Sequence, residues 1–384
     1  MKQYHVIVIG AGLAGLQTAR LLAHRGVKVL LVDRKPRLVD SIHTTGIFVR
    51  RTLEDFHIPE DCLGPPVRHV SLYSPARRQL ELVSQHDEFR IGRMGRLYER
   101  MLEHCLLHDV EWMPGTRYAG HCRVGGKLVV RLDRKMASRW VSVRYLVGAD
   151  GATSRLAKRL QLDTNREWIV GVEDVWSDVP LDGPPRLHCF IDPKLAPGYL
   201  AWIAHDGEEA HIGVGGYPRD FDPLGALQLF RTSVRDIIDL SRARHIERRG
   251  GRIPVGGVLR RIANSEGLLV GDAAGAVSPL TAGGLDPCMR LSTLAAQVII
   301  DHLNTDDTEA LEAYTGNSFR TRFMSRLWMR RLMSHMHSRA LTEIACASLK
   351  LPGLNSIASH VFFGRGSFPD VNIKLAPQPA MEVQ

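Results

Sequence analysis

The chain has 384 residues, 44% hydrophobic and 24% charged, with 50 Lys+Arg against 41 Asp+Glu and a formal net charge of +9. Such a length and balance allow two hydrophobic cores and exclude a disordered or fibrous chain. The 6 cysteines (Cys62, Cys105, Cys122, Cys189, Cys288, Cys346) have no CxxC or ligand-like spacing; reduced thiols and no metal site are expected. No uninterrupted apolar run is long enough to span a bilayer, and the N-terminus does not read as a signal peptide, so a cytoplasmic protein is expected.

In chain order, Tyr4 to Ile9 reads as a strand, Leu13 to His24 as a helix and Val27 to Val32 as a second strand. Gly10, Gly12 and Gly15 fill GxGxxG around Ala14: the first for a tight turn, the second for backbone approach to a pyrophosphate, the third for close helix–strand packing. Asp33 stands where a ribose-binding acid is expected, with Arg34 beside it. This unit predicts a dinucleotide and leaves NAD, NADP and FAD open. His43 is the one titratable group in the following SIHTTGI stretch; a surface-loop histidine is the competing reading.

The segments 67–90 and 166–249 carry strand patterns (VRHVSLYS, QLELVS, RLHCFID, GYLAWIA, AHIGVGG) that predict one antiparallel sheet. Whether Tyr199 and Trp202 face a cavity or a helix on the outer side is open from alternation alone. Between these segments, Arg93 begins a helical pattern on which Arg96 and Arg100 share a solvated face. Tyr145 to Leu160 repeats the strand–turn–helix grammar, with Asp150 at the strand end and Ser154 as the expected helix cap. Arg155 is a candidate anion contact, whereas Lys158 and Arg159 read as a solvated face.

The most telling stretch is Gly267 to Leu285, GLLVGDAAGAVSPLTAGGL. A buried strand ends at Gly271, whose freedom from a Cβ permits the turn, and Asp272 is placed to accept from a ribityl hydroxyl. Gly283 and Gly284 lead to a helix predicted from Pro287 to Leu303, whose N-terminal amides suit an electron-rich ring edge. The segment points to FAD. Further on, Asn317 to Leu341 sets Arg322, Arg326 and Arg330 on one helical strip and Met324, Trp328, Leu332 and Met336 on another. Bases and aromatics are not interleaved, so nucleic acid is not expected. The segment reads either as a helix on an anionic membrane surface or as one packed on the protein with snorkelling arginines.

With these segments in this order, the chain resembles the FAD-dependent oxidoreductases of the hydroxylase-type flavoprotein fold. GDAAG followed by Pro279, Gly283 and Gly284, together with Pro197, Gly198, Tyr199 and Trp202 ahead of a GVGG strand, is similar to the geranylgeranyl reductase branch. The oxygenases' His and Asn are replaced by Gly275 and Asp286. The resemblance implies an α/β fold: a Rossmann-like FAD-binding domain (1–66, 91–165, 250–303) interleaved with an antiparallel-sheet substrate domain (67–90, 166–249), then C-terminal helices (304–384). It implies FAD on Gly10, Gly12, Ala14, Gly15, Asp33, Arg34, Asp150, Gly271, Asp272, Pro279, Gly283, Gly284 and Leu285, with Arg93 on the pyrophosphate.

For the substrate, it implies a small apolar or lipid-like molecule near Tyr199 and Trp202. The activity implied is reduction of carbon–carbon double bonds of a bulky apolar substrate, with isoprenoids among the candidates, by hydride transfer from reduced flavin, with NAD(P)H or a redox partner as electron donor; the alternative is an O₂-using FAD-dependent monooxygenase, epoxidase or halogenase. Ala204 and His205 depart from the branch's Phe-Pro. No cysteine stands in SIHTTGI, which leaves His43 as a weak catalytic candidate. Oligomeric state is open.

Overall fold

Val6–Ile9 (β1) is buried along its whole length, Gly10 turns the chain at a φ of 105°, Leu13–His24 forms α1, and Val29–Val32 (β2) returns parallel to β1. The computed structural model describes residues 1–40, 42–219, 221–305, 307–351, 353–364 and 379–380, and the side chain of Arg322 lies outside them. The chain continues through His69–Tyr73 (β3), Gln79–Val83 (β4), Met94–Leu107 (α2) and Glu111–Met113 (β5). A meander follows, made of Arg117–Val124 (β6), Lys127–Arg134 (β7) and Ala137–Val143 (β8), and then Tyr145–Gly148 (β9) and Arg155–Arg159 (α3). Next come Trp168–Ser177 (β10), Arg186–Phe190 (β11), Ala201–His205 (β12), Glu209–Gly216 (β13), Pro223–Ser233 (α4) and Arg244–Pro254 (β14). Gly267–Leu269 (β15) and Leu285–Thr305 (α5) complete the first layers.

The first sheet has the order β15-β9-β1-β2-β5, parallel throughout. Its strands are apolar without alternation because both faces are covered, α1 packing between the sheet and the helices α2 and α5. The second sheet has the order β14-β10-β13-β12-β11-β3-β4. The sequence reading of one antiparallel sheet needs correction at one seam: β3 and β11 pair in parallel. The chain leaves β4 for the first layer before returning to β11, and a crossover that long permits parallel pairing. On one face of this sheet lies α4, whose Leu227 and Phe230 pack with Phe190, Ile203 and Val214. The meander pairs with Lys2–Gln3 as a separate sheet that alternation had not singled out.

The basic C-terminal segment is broken into Gly316–Arg320 (α6) and Met324–Ser334 (α7), followed by Arg339–Ser348 (α8) and Leu354–Phe363 (α9). Its Arg326 and Arg330 do not lie on a solvent-facing strip. Arg330 is 1% exposed and donates to the carbonyls of Pro279, Leu280 and Gly198, its guanidinium lying over the rings of Tyr199 and Tyr217. Arg326 donates to Ser278 Oγ at 3.0 Å. The packed-helix alternative is the one the structure adopts. Trp328, Leu332, Leu341, Ile344 and Leu351 on and beside these helices are nevertheless exposed. Among the described residues, no helix is long and apolar enough to cross a membrane.

Candidate cofactor and substrate site

The C-terminal ends of β1, β2, β9 and β15 open together onto a cavity of about 1110 Å³ whose opposite wall is the second sheet. This is where open parallel sheets place ligands. Gly10, Gly12, Ala14, Asp33, Arg34, His43, Asp150, Arg155, Tyr199, Trp202, Gly271, Asp272, Gly283, Gly284 and Leu285 all line it. Three residues expected at the cofactor do not. A Cβ at Gly15 would collide with the Gly10 carbonyl, so Gly15 serves helix–strand packing. Pro279 turns its carbonyl to the Arg330 Nε at 2.6 Å, behind the cavity wall.

Arg93 is the third. Its guanidinium is tied up by the Asp61 carbonyl at 3.1 Å, the Asp206 carbonyl at 3.2 Å and the Glu208 carboxylate at 3.3 Å. It therefore joins the helix start to the β12–β13 turn, and the pyrophosphate role is withdrawn.

The residues that remain fit a dinucleotide. Among the described residues no heavy atom beyond its chain neighbours lies within 4 Å of where a Gly12 Cβ would stand, so backbone is open to a ligand there. Asp33 accepts from the Ala11 amide at 2.7 Å and the Lys35 amide at 2.8 Å, fixing the carboxylate while leaving acceptor capacity. Asp150 is spent on structure: it accepts from Ser154 Oγ at 2.5 Å and from the Arg155 and Leu156 amides at 2.7 and 3.2 Å, setting the start of α3. Asp272 differs. Among the described residues no donor reaches its carboxylate, and burial pushes its pKa to about 6. A carboxylate in that state suits a ligand bearing hydroxyls, and the amides opening α5 beside it suit an anionic ring edge.

The facing wall explains the GVGG motif. Gly213 of β13 stands between Glu173 of β10 and Trp202 of β12 in one cross-strand row. A Cβ there would enter the indole, and one at Gly215 would come within 2.8 Å of the Tyr199 ring. Bare backbone lets both rings lie inward over the sheet, which resolves what alternation left open. The Trp202 Nε1–H crosses Gly213 to donate to Glu173 Oε2 at 3.3 Å, and the Tyr199 hydroxyl donates to the Thr281 carbonyl at 2.7 Å. His43 Nδ1 lies 2.9 Å from the Gly250 carbonyl, and burial lowers its pKa, so the ring is neutral near pH 7.

Several cavity residues escaped the sequence reading: Glu173, Arg249, Cys189 and Cys288. The signal for Glu173 was present, since two adjacent acids inside an apolar strand pattern demand partners. Burial pushes the thiol of Cys189 up to about 12 and that of Cys288 higher still, so neither is a thiolate near neutral pH. Away from the glycine-rich turns, the cavity wall passes to Phe323, Met329, Met333, Leu349, Val361 and Phe362, an apolar end supplied by the C-terminal helices.

Comparison with known proteins agrees with this geometry. The model of the FAD binding domain family matches residues 3–329. A digeranylgeranylglycerophospholipid reductase of Methanothrix thermoacetophila is 27% identical over 323 residues, covering 80% of this chain and 81% of the relative. Among solved structures, a geranylgeranyl bacteriochlorophyll reductase-like protein of Thermoplasma acidophilum superposes with a TM-score of 0.82 at 18% identity, over 95% of this chain and 98% of that one. The p-nitrophenol 4-monooxygenase of Pseudomonas putida superposes with a TM-score of 0.71 at 16% identity, over 95% and 99%. The two glycine-rich turns, the unsatisfied Asp272 and the family match lead to one conclusion: this chain belongs to the FAD binding domain family and is an FAD-dependent oxidoreductase.

Proposed function

We propose that the protein reduces carbon–carbon double bonds in a long isoprenoid-chain lipid. The observation that carries the reading is the continuity of the cavity, which runs from the glycine-rich cofactor cradle past Tyr199 and Trp202 into the apolar end formed by α7 to α9. A cavity of that shape takes an extended apolar chain. The name of the Methanothrix relative supports the same class of substrate.

In this reading Gly10 and Gly12 pass close to the pyrophosphate, Asp33 holds a ribose, Asp272 accepts from the ribityl chain, and Gly283, Gly284 and Leu285 present amides to the ring. Bound FAD, once reduced by NAD(P)H or a redox partner, supplies hydride. Tyr199 and Trp202 orient the alkene, and the surrounding apolar side chains exclude water. The exposed apolar side chains of the C-terminal helices, in place of the arginines, rest on the membrane from which a lipid is drawn.

The test is an anaerobic single turnover: dithionite-reduced holoenzyme mixed with a geranylgeranyl ether lipid in detergent. Flavin reoxidation with a mass gain of two hydrogens per saturated bond is the expected result. Reoxidation that requires O₂ and adds oxygen to the substrate would overturn the reading in favour of the oxygenase alternative.

A further inference from the structure

Hydride addition to an alkene leaves a second carbon that needs a proton, and neither His43 nor the cysteines offers one readily. Across the cavity, β10 carries Glu173 and Asp174 side by side, and successive strand residues face opposite ways. Asp174 faces away from the cavity and is saturated by Arg248 at 2.7 and 3.1 Å, Arg231 at 3.1 Å and His245 at 3.2 Å. Glu173 is 4% exposed and lines the cavity. Its Oε2 accepts from Thr45 Oγ1 at 2.5 Å and Trp202 Nε1 at 3.3 Å, whereas among the described residues Oε1 has no hydrogen-bond partner. Behind it lies His211, 1% exposed, with Nδ1 3.6 Å from Glu173 Oε1 and Nε2 3.8 Å from Asp206 Oδ2.

An imidazole sealed between two carboxylates, one of which opens on the reaction cavity, is arranged to pass protons. We propose that His211 and Glu173 form the proton relay of the reduction, with Glu173 as the group that hands the proton to substrate and His211 as its reservoir. The inference rests on the reductase reading above. In the balanced step, one alkene carbon takes a hydride, and with it two electrons, from reduced FAD. The neighbouring carbon takes a proton that the His211 imidazolium passes through the Glu173 carboxylate, which, against its burial, His211, Thr45 and Arg249 hold below its usual pKa and which begins and ends the step ionised. The π bond is consumed, two C–H bonds form, and His211 is left neutral until solvent recharges it past Asp206.

The charged groups facing the pair set its behaviour. Asp206, Glu209 and Glu247 are the neighbouring acids, and Arg249 is the neighbouring base, its Nη1 3.7 Å from Glu173 Oε1 and its Nη2 2.7 Å from Glu247. Burial opposes a charged imidazole, but the carboxylates of Asp206 and Glu173 outweigh it and raise its pKa to about 9. In return the His211 imidazolium and the Glu208 and Glu209 amides hold Asp206 at about 2 against its burial. The reservoir is therefore charged at neutral pH and empties as pH rises through about 9.

Two measurements test this. Imidazole NMR of oxidised holoenzyme, which needs no substrate, should show His211 titrating near 9 and titrating at least one unit lower in Glu173→Gln, an isostere that keeps an acceptor for Thr45 and Trp202. Anaerobic single turnovers on the geranylgeranyl ether lipid should show reoxidation slowed on the order of 10²-fold in Glu173→Gln, with the flavin spectrum unchanged. A high-pH fall near 9 in wild type should vanish in His211→Asn. If Glu173→Gln fails to retain FAD, Glu173→Asp replaces it, with a loss of roughly 10-fold and the high-pH fall retained.

Wild-type rates and an unchanged pH limb in Glu173→Gln would overturn the relay while leaving the reductase reading intact. An absence of anaerobic turnover by wild type would overturn the reductase reading itself. A His211 that is neutral at pH 7 would remove the reservoir whatever the activity.

Discussion

Replacing Asp272 with Asn should strengthen the flavin-free protein and weaken its hold on FAD. The carboxyl rises from 3.8 to about 6 because the protein packed around it desolvates the charge. Two pKa units correspond to about 3 kcal/mol at 1.36 kcal/mol per unit. Water in the cavity screens the partly exposed group, which brings the cost to about 1–2 kcal/mol. The sign follows from proton binding: between pH 3.8 and about 6 the folded state holds the proton that the unfolded state has lost, so stability falls as pH rises through that window.

Asp272→Asn removes this penalty. In urea unfolding of flavin-stripped protein, the variant should gain about 1–2 kcal/mol over wild type at pH 8 and nothing below about pH 4. Its FAD affinity, followed by flavin fluorescence, should fall by about 10- to 100-fold, since a hydrogen bond to a charged acceptor contributes about 1.5–3 kcal/mol. Equal stabilities at pH 8 together with equal FAD affinity would show that Asp272 neither bears the burial cost nor meets the cofactor.

Three further outcomes are expected. Gly213→Ala should drive the Trp202 indole off the sheet, lowering stability by about 1–3 kcal/mol and changing tryptophan fluorescence; an unaltered melt and spectrum would refute the ring-on-backbone account. Arg330→Met strips the donor from three carbonyls and should cost about 2–4 kcal/mol in urea unfolding, whereas a solvated arginine would cost under about 0.5 kcal/mol. Changing Leu332, Ile344 and Leu351 together to Asp should abolish co-sedimentation with anionic vesicles, and unchanged binding would reject the apolar membrane face.

The sequence was legible where function is written into local geometry. Gly10 to Asp33 could be read because a tight turn between two doubly buried strands needs glycine at fixed positions, and Ser154 because a helix cap is a matter of neighbours: it accepts the Ala157 amide at 3.0 Å. Arg93 was misassigned because a helix start reveals where an arginine stands and not which way it points. The packing of the basic C-terminal helix was among the readings, but the full burial of Arg330 was not legible for the same reason: its three carbonyl acceptors lie 50 or more residues away in sequence. The parallel seam between β3 and β11 joins strands with no shared turn, and no local pattern encodes it. Glu173 and His211 are individually unremarked strand residues that only the register of β10 and β13 brings together.

The Tyr199–Thr281 bond and the Arg330 bracket tie the segment before β12 to the loop that opens α5. The wall that carries Tyr199 and Trp202 and the loop that opens α5 are thus one mechanical unit. Whatever one ligand does to order that unit, the other inherits. By thermodynamic reciprocity, any factor by which bound lipid tightens FAD is the factor by which FAD tightens the lipid. Gly198 and Leu280, both acceptors for Arg330, lie on the seam through which any such coupling would pass.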